Sequence, residues 1–305
     1  MSDRIRVAAT GAGVNYYPEF LARELGYFED EGLEVLTEAP GHGPYVPRAL
    51  AEGAVEIGLG GIWRPLMYRG RLSSFMPFTQ LCLRCPNHVL AREPRSDFDW
   101  TDLIGRKVLV PDGSPTPFIY LVAILKENGI DPGAVRFIRD FHAAETEDLY
   151  RCGLGEFVVT ASPLSEVLVD QGLGHRVADL GDAGGPVPWS VYYSLPAFLA
   201  RPDNAAGRFG RAIQRALTWT TAHDAADAPG VFARQYPGVR PEMVVDAWRR
   251  YRAGGMWSET IRLDADAFGR WQKTIIANHL IDAPFAYEDA FDIRVADWVE
   301  AQAGP

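Results

Sequence analysis

Residues 5–35, IRVAATGAGVNYYPEFLARELGYFEDEGLEV, decide the fold. Ile5, Val7 and Ala9 recur at every second position, the period of a strand, and Gly11 and Gly13 end the run. Pro18 suits the first turn of a helix, where a missing N–H costs nothing. Phe20, Leu21 and Leu25 follow at helical spacing, and Gly26 is a C-terminal stop. A second strand begins at Leu33–Val35. The order continues with a turn at PGHGP, a helix from Val46 to Leu50 and a third strand in VEIGLGG. A β-α-β-α-β order predicts a mostly parallel sheet with helices on its faces.

The rest of the chain repeats this plan. Residues 79–92, TQLCLRCPNHVLAR, read as one extended strand, and the polar EPRSDFDWTDL after them reads as a crossing between lobes near 93–98. RKVLVPDGSPTPFIYLVAILKENGI is a strand, a loop and a helix, and EFVVTASPLSEVLVDQG repeats the form. DLGDAGGPVPWSVYYSL is rich in Gly and Pro and predicts a return crossing near 183–190. From Asn204 onward the pattern is helical.

The chain has 305 residues, 47% hydrophobic and 23% charged, a balance that builds a real core. Its length suits two lobes or two domains. A net charge of −10 argues against nucleic acid as a partner, because phosphate contacts need a basic patch. Three cysteines, Cys82, Cys85 and Cys152, do not make a disulfide framework. MSDRIRVAAT lacks the apolar region of a secretory leader, and no apolar run approaches the ~18 residues of a membrane span. The sequence as it stands is therefore expected in the cytoplasm. A trimmed leader would move that expectation to the periplasm or the cell exterior.

The segment YYPEFLARELGYFEDEGLEV resembles the helix and "GYF…EGL.V" run of the nitrate-, taurine- and alkanesulfonate-binding proteins of ABC transporters, a family that also holds the enzymes making a thiamin pyrimidine precursor. ALAEGAVEIGLGG resembles the family's helix followed by a Gly-x-(Val/Asp)-Asp-x-Gly strand, with Glu56 where aspartate is usual. DLIGRKVLVPDGSPTPF and RPDNAAGRFGRAIQRALTW resemble its entry to the second lobe and its late helix. The resemblance implies an α/β, two-lobed type 2 solute-binding-protein fold. Each lobe is a mostly parallel sheet flanked by helices, with the ligand cleft between lobes. The crossings divide it into residues 1–92 with 188–305 as one lobe and 93–187 as the other.

The family's catalytic residues do not carry over. The lysine with which the pyrimidine-forming enzymes bind pyridoxal phosphate corresponds to Gly60, and their histidine to Arg64. Their cysteine-rich metal-binding run is missing. The related aromatic sulfinate desulfinase has a nucleophilic cysteine in the first loop, where this chain reads GAGVNYY. No cofactor is expected.

The site is expected at the loops that follow parallel strands, where such sheets bind ligands. Asn15 offers a donor and an acceptor, and Tyr16 a ring face with a polar tip; the plain alternative is packing under the helix. His42, between two glycines, suits a ligand hydrogen bond or a base near neutral pH, or is a solvated loop residue. Trp63 could cap an aromatic ligand and Arg64 could clamp a carboxylate or sulfonate; the alternatives are core and surface. Ser114 and Thr116 could cap the next helix or, with its free N–H groups, hold an anion. Ser162 repeats that position one unit later. Trp189 and Tyr192, after the return crossing, would complete the wall. Cys82, Cys85 and His88 make at most half a metal site, so no metal is expected. Cys85 as a nucleophile needs a base such as His42 or His88 and a lowered pKa.

Two functions follow. One is a binding protein that closes its lobes over a small anionic or aromatic organic solute, for an ABC-type uptake system or a sensor, with an ABC permease as partner if the chain is exported. The other is a cytoplasmic enzyme on the same scaffold, a decarboxylase, desulfinase or hydrolase of an aromatic acid, with His42 as base, Arg64 and Arg84 as clamps and Cys85 as nucleophile.

Overall fold

The computed structural model describes residues 3–39, 45–112 and 115–302. Its strands are β1 (Asp3–Ala9), β2 (Leu33–Glu38), β3 (Ile57–Gly60), β4 (Met76–Cys82), β5 (Asn87–Ala91), β6 (Lys107–Leu109), β7 (Arg136–Ile138), β8 (Phe157–Ala161), β9 (His175–Asp179) and β10 (Ser190–Ser194). They form two five-stranded sheets, in the orders β2-β1-β3-β10-β4 and β7-β6-β8-β5-β9. In each sheet four strands run one way, with β1 between β2 and β3 and β6 between β7 and β8, while β10 or β5 runs against them and pairs on its far side with β4 or β9. The protein is thus an α/β fold of two lobes built on one plan.

Central parallel strands are covered on both faces, so they read as buried runs rather than as alternation. In β1, Ile5, Val7, Ala8 and Ala9 are all buried. Helix Ala205–Ala222 covers this sheet with Phe209, Ile213, Ala216 and Leu217, a spacing that keeps one face inward. Phe209 meets Phe28, Phe78 and Tyr192 at ring centroids of 5.2, 6.1 and 4.9 Å. Gly210 lets the helix Ile293–Gln302 pack close, since a Cβ there would stand 2.8 Å from Val295 Cγ1. No described helix is long and apolar enough to cross a membrane.

The stretch 79–92 is not one strand. β4 stops at Cys82, β5 starts at Asn87, and the two belong to different sheets. The chain changes sheets at 83–86, ahead of the 93–98 crossing expected from polarity. Pro86 has no N–H to give a ladder. Leu83 leaves the strand to donate to Met256 O at 2.8 Å, and its own carbonyl accepts from Val187 N–H at 2.8 Å. The return runs between β9 and β10, through residues 180–189.

Candidate functional site

The first loop leaves β1 and enters a 3-10 turn, Val14–Tyr16, then helix Tyr17–Glu24. Gly13 has a structural reason: a Cβ there would lie 2.4 Å from Asn15 Oδ1, so only glycine lets that side chain fold back. Asn15 turns inward, with Nδ2 3.6 Å from Cys82 Sγ, while its carbonyl accepts from the Trp257 indole at 2.8 Å and from the Cys82 thiol at 3.2 Å. The Tyr16 hydroxyl lies 3.2 Å from Thr10 Oγ1 and accepts from Ser190 Oγ at 3.3 Å. Burial pushes its phenol up to about 12. Tyr17 is core, ringed by Trp219, Phe232, Trp248 and Trp257.

A cleft with a cavity volume of about 430 Å³ opens where this loop faces the second sheet. Thr10, Ala12 and Gly13 form one wall. Pro111 and Asp112 after β6, residues 158–162 of β8 and its exit, and the start of helix Ala143–Arg151 form the other. This is the side on which parallel strands end, the expected place for a ligand in such sheets. Hydrogen bonds join the two sides. Val14 N–H donates to Ser162 O at 3.4 Å, and Trp63 Nε1–H donates to Thr116 Oγ1 at 2.5 Å.

Of the residues named from sequence, Ser162 lines this cleft. Its Oγ lies 3.5 Å from His88 Nε2, and Asp179 Oδ2 lies 3.0 Å from His88 Nδ1. The His88 ring is fully buried and stacks on Tyr251 at 5.7 Å. Thr116 and Trp63 are buried at the junction of the walls, where they pair with each other.

Other named residues lie behind the walls. The Arg64 guanidinium sits 4.7 Å over the Trp63 ring and is 4% exposed. Burial pulls it below its ordinary value, with Tyr193, Tyr16 and Tyr68 opposing. Arg84 belongs to the link between sheets, where Nη1 donates to Gly181 O at 2.9 Å. Trp189 packs against Tyr120 and Trp271 at 5.6 and 6.4 Å. Tyr192 is core: its hydroxyl donates to Glu19 Oε2 at 2.9 Å inside the first lobe. Cys85 is buried with its thiol directed at Asn87 Oδ1, and burial raises it well above the ordinary thiol range. A thiol so held is not a ready nucleophile. His42 and Ser114 lie outside the described residues.

The cleft also holds residues that sequence reasoning passed over. Thr10, Asn87, Asp112, His142, Thr146, Glu147 and Thr160 all line it. Asp112 pairs with His142 Nδ1, and Glu147 with Arg151. Asp112 and His142 stand just past β6 and β7, so the same strand-end rule that singled out the first loop could have found them. Among the described lining residues there is no lysine or arginine.

The protein-family model described as NMT1/THI5 like matches residues 14–226. The chain is 24% identical over 296 residues to the putative binding protein YtlA of Bacillus subtilis (strain 168), covering 93% of this chain and 89% of that protein. It is 25% identical over 251 residues to the 4-amino-5-hydroxymethyl-2-methylpyrimidine phosphate synthase of Candida albicans (strain WO-1), covering 76% and 69%. Among solved structures, the periplasmic aliphatic sulphonate binding protein SsuA of Escherichia coli superposes with a TM-score of 0.75 at 15% identity, over 97% of this chain and 100% of that one. A match that spans residues 14–226 of 305 places the chain: it belongs to the NMT1/THI5-like family.

Proposed function

We infer that this protein binds a small organic solute between its two lobes, as the substrate-binding component of an ABC-type uptake system. The observation that carries the reading is the cleft itself. It is walled by the first loop of one sheet and the strand ends of the other, and joined by the Val14–Ser162 and Trp63–Thr116 bonds. Two lobes joined by two crossings of the chain beside a cavity can open and close on a ligand. Such a site works by enclosure and hydrogen bonding and needs no nucleophile. YtlA and the sulphonate-binding protein carry names of the same kind.

The lobe division we propose follows the sheets. Residues 3–82 with 190–302 carry the first sheet, residues 87–179 the second, and 83–86 with 180–189 are the two hinge strands of chain. On this reading the partner is an ABC permease, and the working location is outside the cytoplasmic membrane.

The test is thermal-shift screening of the purified protein against carboxylates, sulfonates, carboxamides and pyrimidines, with mass analysis of each hit. Stabilisation by a solute that is recovered unchanged is the expected result. A hit converted to product, or no stabilising solute in any class, would overturn the reading.

A further inference from the structure

Helix Pro241–Ala253 comes from the first lobe but lies along the second. Its Trp248 packs on Tyr17 of the first lobe, with ring centroids 5.7 Å apart. It also meets residues 162–170, the exit of β8 and the helix Leu164–Asp170, whose Leu168 is buried with Val158 of the second sheet. Two ion pairs and a hydrogen bond cross there. Arg250 pairs with Glu166, Arg240 just ahead of the helix pairs with Asp170, and the Tyr251 hydroxyl accepts from Ser162 N–H at 3.2 Å.

The two ion pairs are unlike. Arg240 and Asp170 are 56% and 48% exposed, and a pair so open to water contributes little. The Glu166 side chain is 7% exposed, and its Oε1 accepts from two guanidinium groups, Arg250 across the interface and Arg176 within its own lobe. Its Oε2 accepts from Ser165 Oγ at 2.9 Å, also within its lobe. When the lobes part, Arg250 leaves with the first lobe, and its side chain is already 37% exposed. Glu166 keeps Arg176 and Ser165, so opening orphans no buried carboxylate. A carboxylate left with no cation would weld the interface shut. One that exchanges two cations for one allows two states of similar free energy.

We propose that Glu166 is the latch between the lobes: Arg250 draws it toward the closed form, and Arg176 lowers the cost of the open one. The latch concerns lobe opening alone and needs no solute. Removing Arg250 takes a partner from the closed form only. Removing Arg176 takes one from both forms but leaves Glu166 without a cation in the open one, so it penalises opening. The two substitutions therefore act with opposite signs, which a purely structural role would not produce.

The test is pulsed EPR on the solute-free full chain. Spin labels sit on the exposed Cys152 of the second lobe and on Ala54→Cys, an exposed position of the first; Cys82 and Cys85 are buried. Two distances are expected. The ratio of the closed to the open population should fall about fivefold in Arg250→Ala and rise about fivefold in Arg176→Ala. Glu166→Gln keeps the shape and should act like Arg250→Ala, which preserves the test if Arg176→Ala does not fold. Arg240→Ala should move the ratio less than about twofold. A single distance in the parent, an unchanged ratio in Arg250→Ala or Glu166→Gln, a shift of the same sign in Arg250→Ala and Arg176→Ala, or an Arg240→Ala shift as large as that of Arg250→Ala would overturn the proposal. The solute-binding reading fails separately, only if no class in the solute screen binds unchanged.

Discussion

The indole N–H of Trp63 donates to the hydroxyl of Thr116, and so ties a helix that follows β3 to a helix that follows β6. Both side chains are buried, and Gly61 makes room, because a Cβ there would lie 2.7 Å from the Trp63 nitrogen. The bond spans the two lobes beside the cleft. Trp63→Phe keeps a ring and removes the donor, leaving Thr116 unpaired at a cost of about 1 kcal/mol. If the bond belongs to the closed form, solute affinity falls about fivefold by calorimetry. Trp63→Ala also loses the packing and should weaken binding at least about tenfold. Unchanged affinity in both variants would show that the bond takes no part in closure.

The three thiols differ chiefly in burial. Cys152 is exposed, while Cys82 and Cys85 are buried, the first pushed up to about 12 by burial and the second raised well above the ordinary range. Only a thiolate reacts quickly with an aromatic disulfide reagent. At pH 8 the native protein should show one fast thiol, and three after denaturation. A second fast thiol in the native protein would contradict the placement of Cys85 and reopen it as a nucleophile.

Asp179 links β9 to the His88–Ser162 line. Burial works to raise its carboxyl, but the His88 ring and the backbone N–H groups of Gly181 and Asp182 outweigh that and hold it below the ordinary carboxylate value. A depressed carboxyl stabilises the fold above its unfolded value of about 4, and the contribution is lost as pH falls through the folded value. Asp179→Asn removes this dependence. Urea unfolding at pH 7 and pH 3 should show a smaller loss of stability for the variant than for the parent. Equal losses would show that Asp179 is not held below its ordinary value.

Glu166 is buried at the far rim of the interface, between Arg176 of its own lobe and Arg250 of helix Pro241–Ala253. The next residue, Tyr251, donates to Pro86 O at 2.6 Å and accepts from Ser162 N–H at 3.2 Å. That helix therefore braces the loop that carries Ser162. Arg250→Ala leaves a buried carboxylate short of one partner and should cost about 1–2 kcal/mol in urea unfolding. Arg240→Ala, at the exposed pair with Asp170, should cost less than about 1 kcal/mol. Equal costs would contradict the burial of Glu166 as the reason.

The strand-loop-helix order was legible because each unit carries its own periodicity and its own stop: Ile5 to Ala9, Gly13, Pro18 and Gly26 form one local statement. The break at 83–86 was not, because Leu83 and Cys85 continue an apolar strand pattern. What diverts the chain is a pair of hydrogen bonds to Met256 and Val187, far away in sequence. The same holds at the site. Ser162 was visible as a polar residue at a strand end. Arg64 and Tyr192 have equally suitable chemistry but lie behind the wall, since the side of a strand or turn that faces the cleft is set by packing against helices the local sequence does not name. His88 was weighed as half a metal site, and its actual neighbours, Asp179 and Ser162, come from β9 and the exit of β8.

The central claim is that the cleft takes up one solute and returns it unchanged. Calorimetric titration of the best solute from the screen, with the ligand recovered and weighed by mass spectrometry, tests it most directly. The account predicts saturable binding of one molecule per chain, weakened at least about tenfold by Trp63→Ala, with the recovered mass unaltered. Non-saturable binding, binding indifferent to Trp63, or a recovered mass that has changed would contradict it.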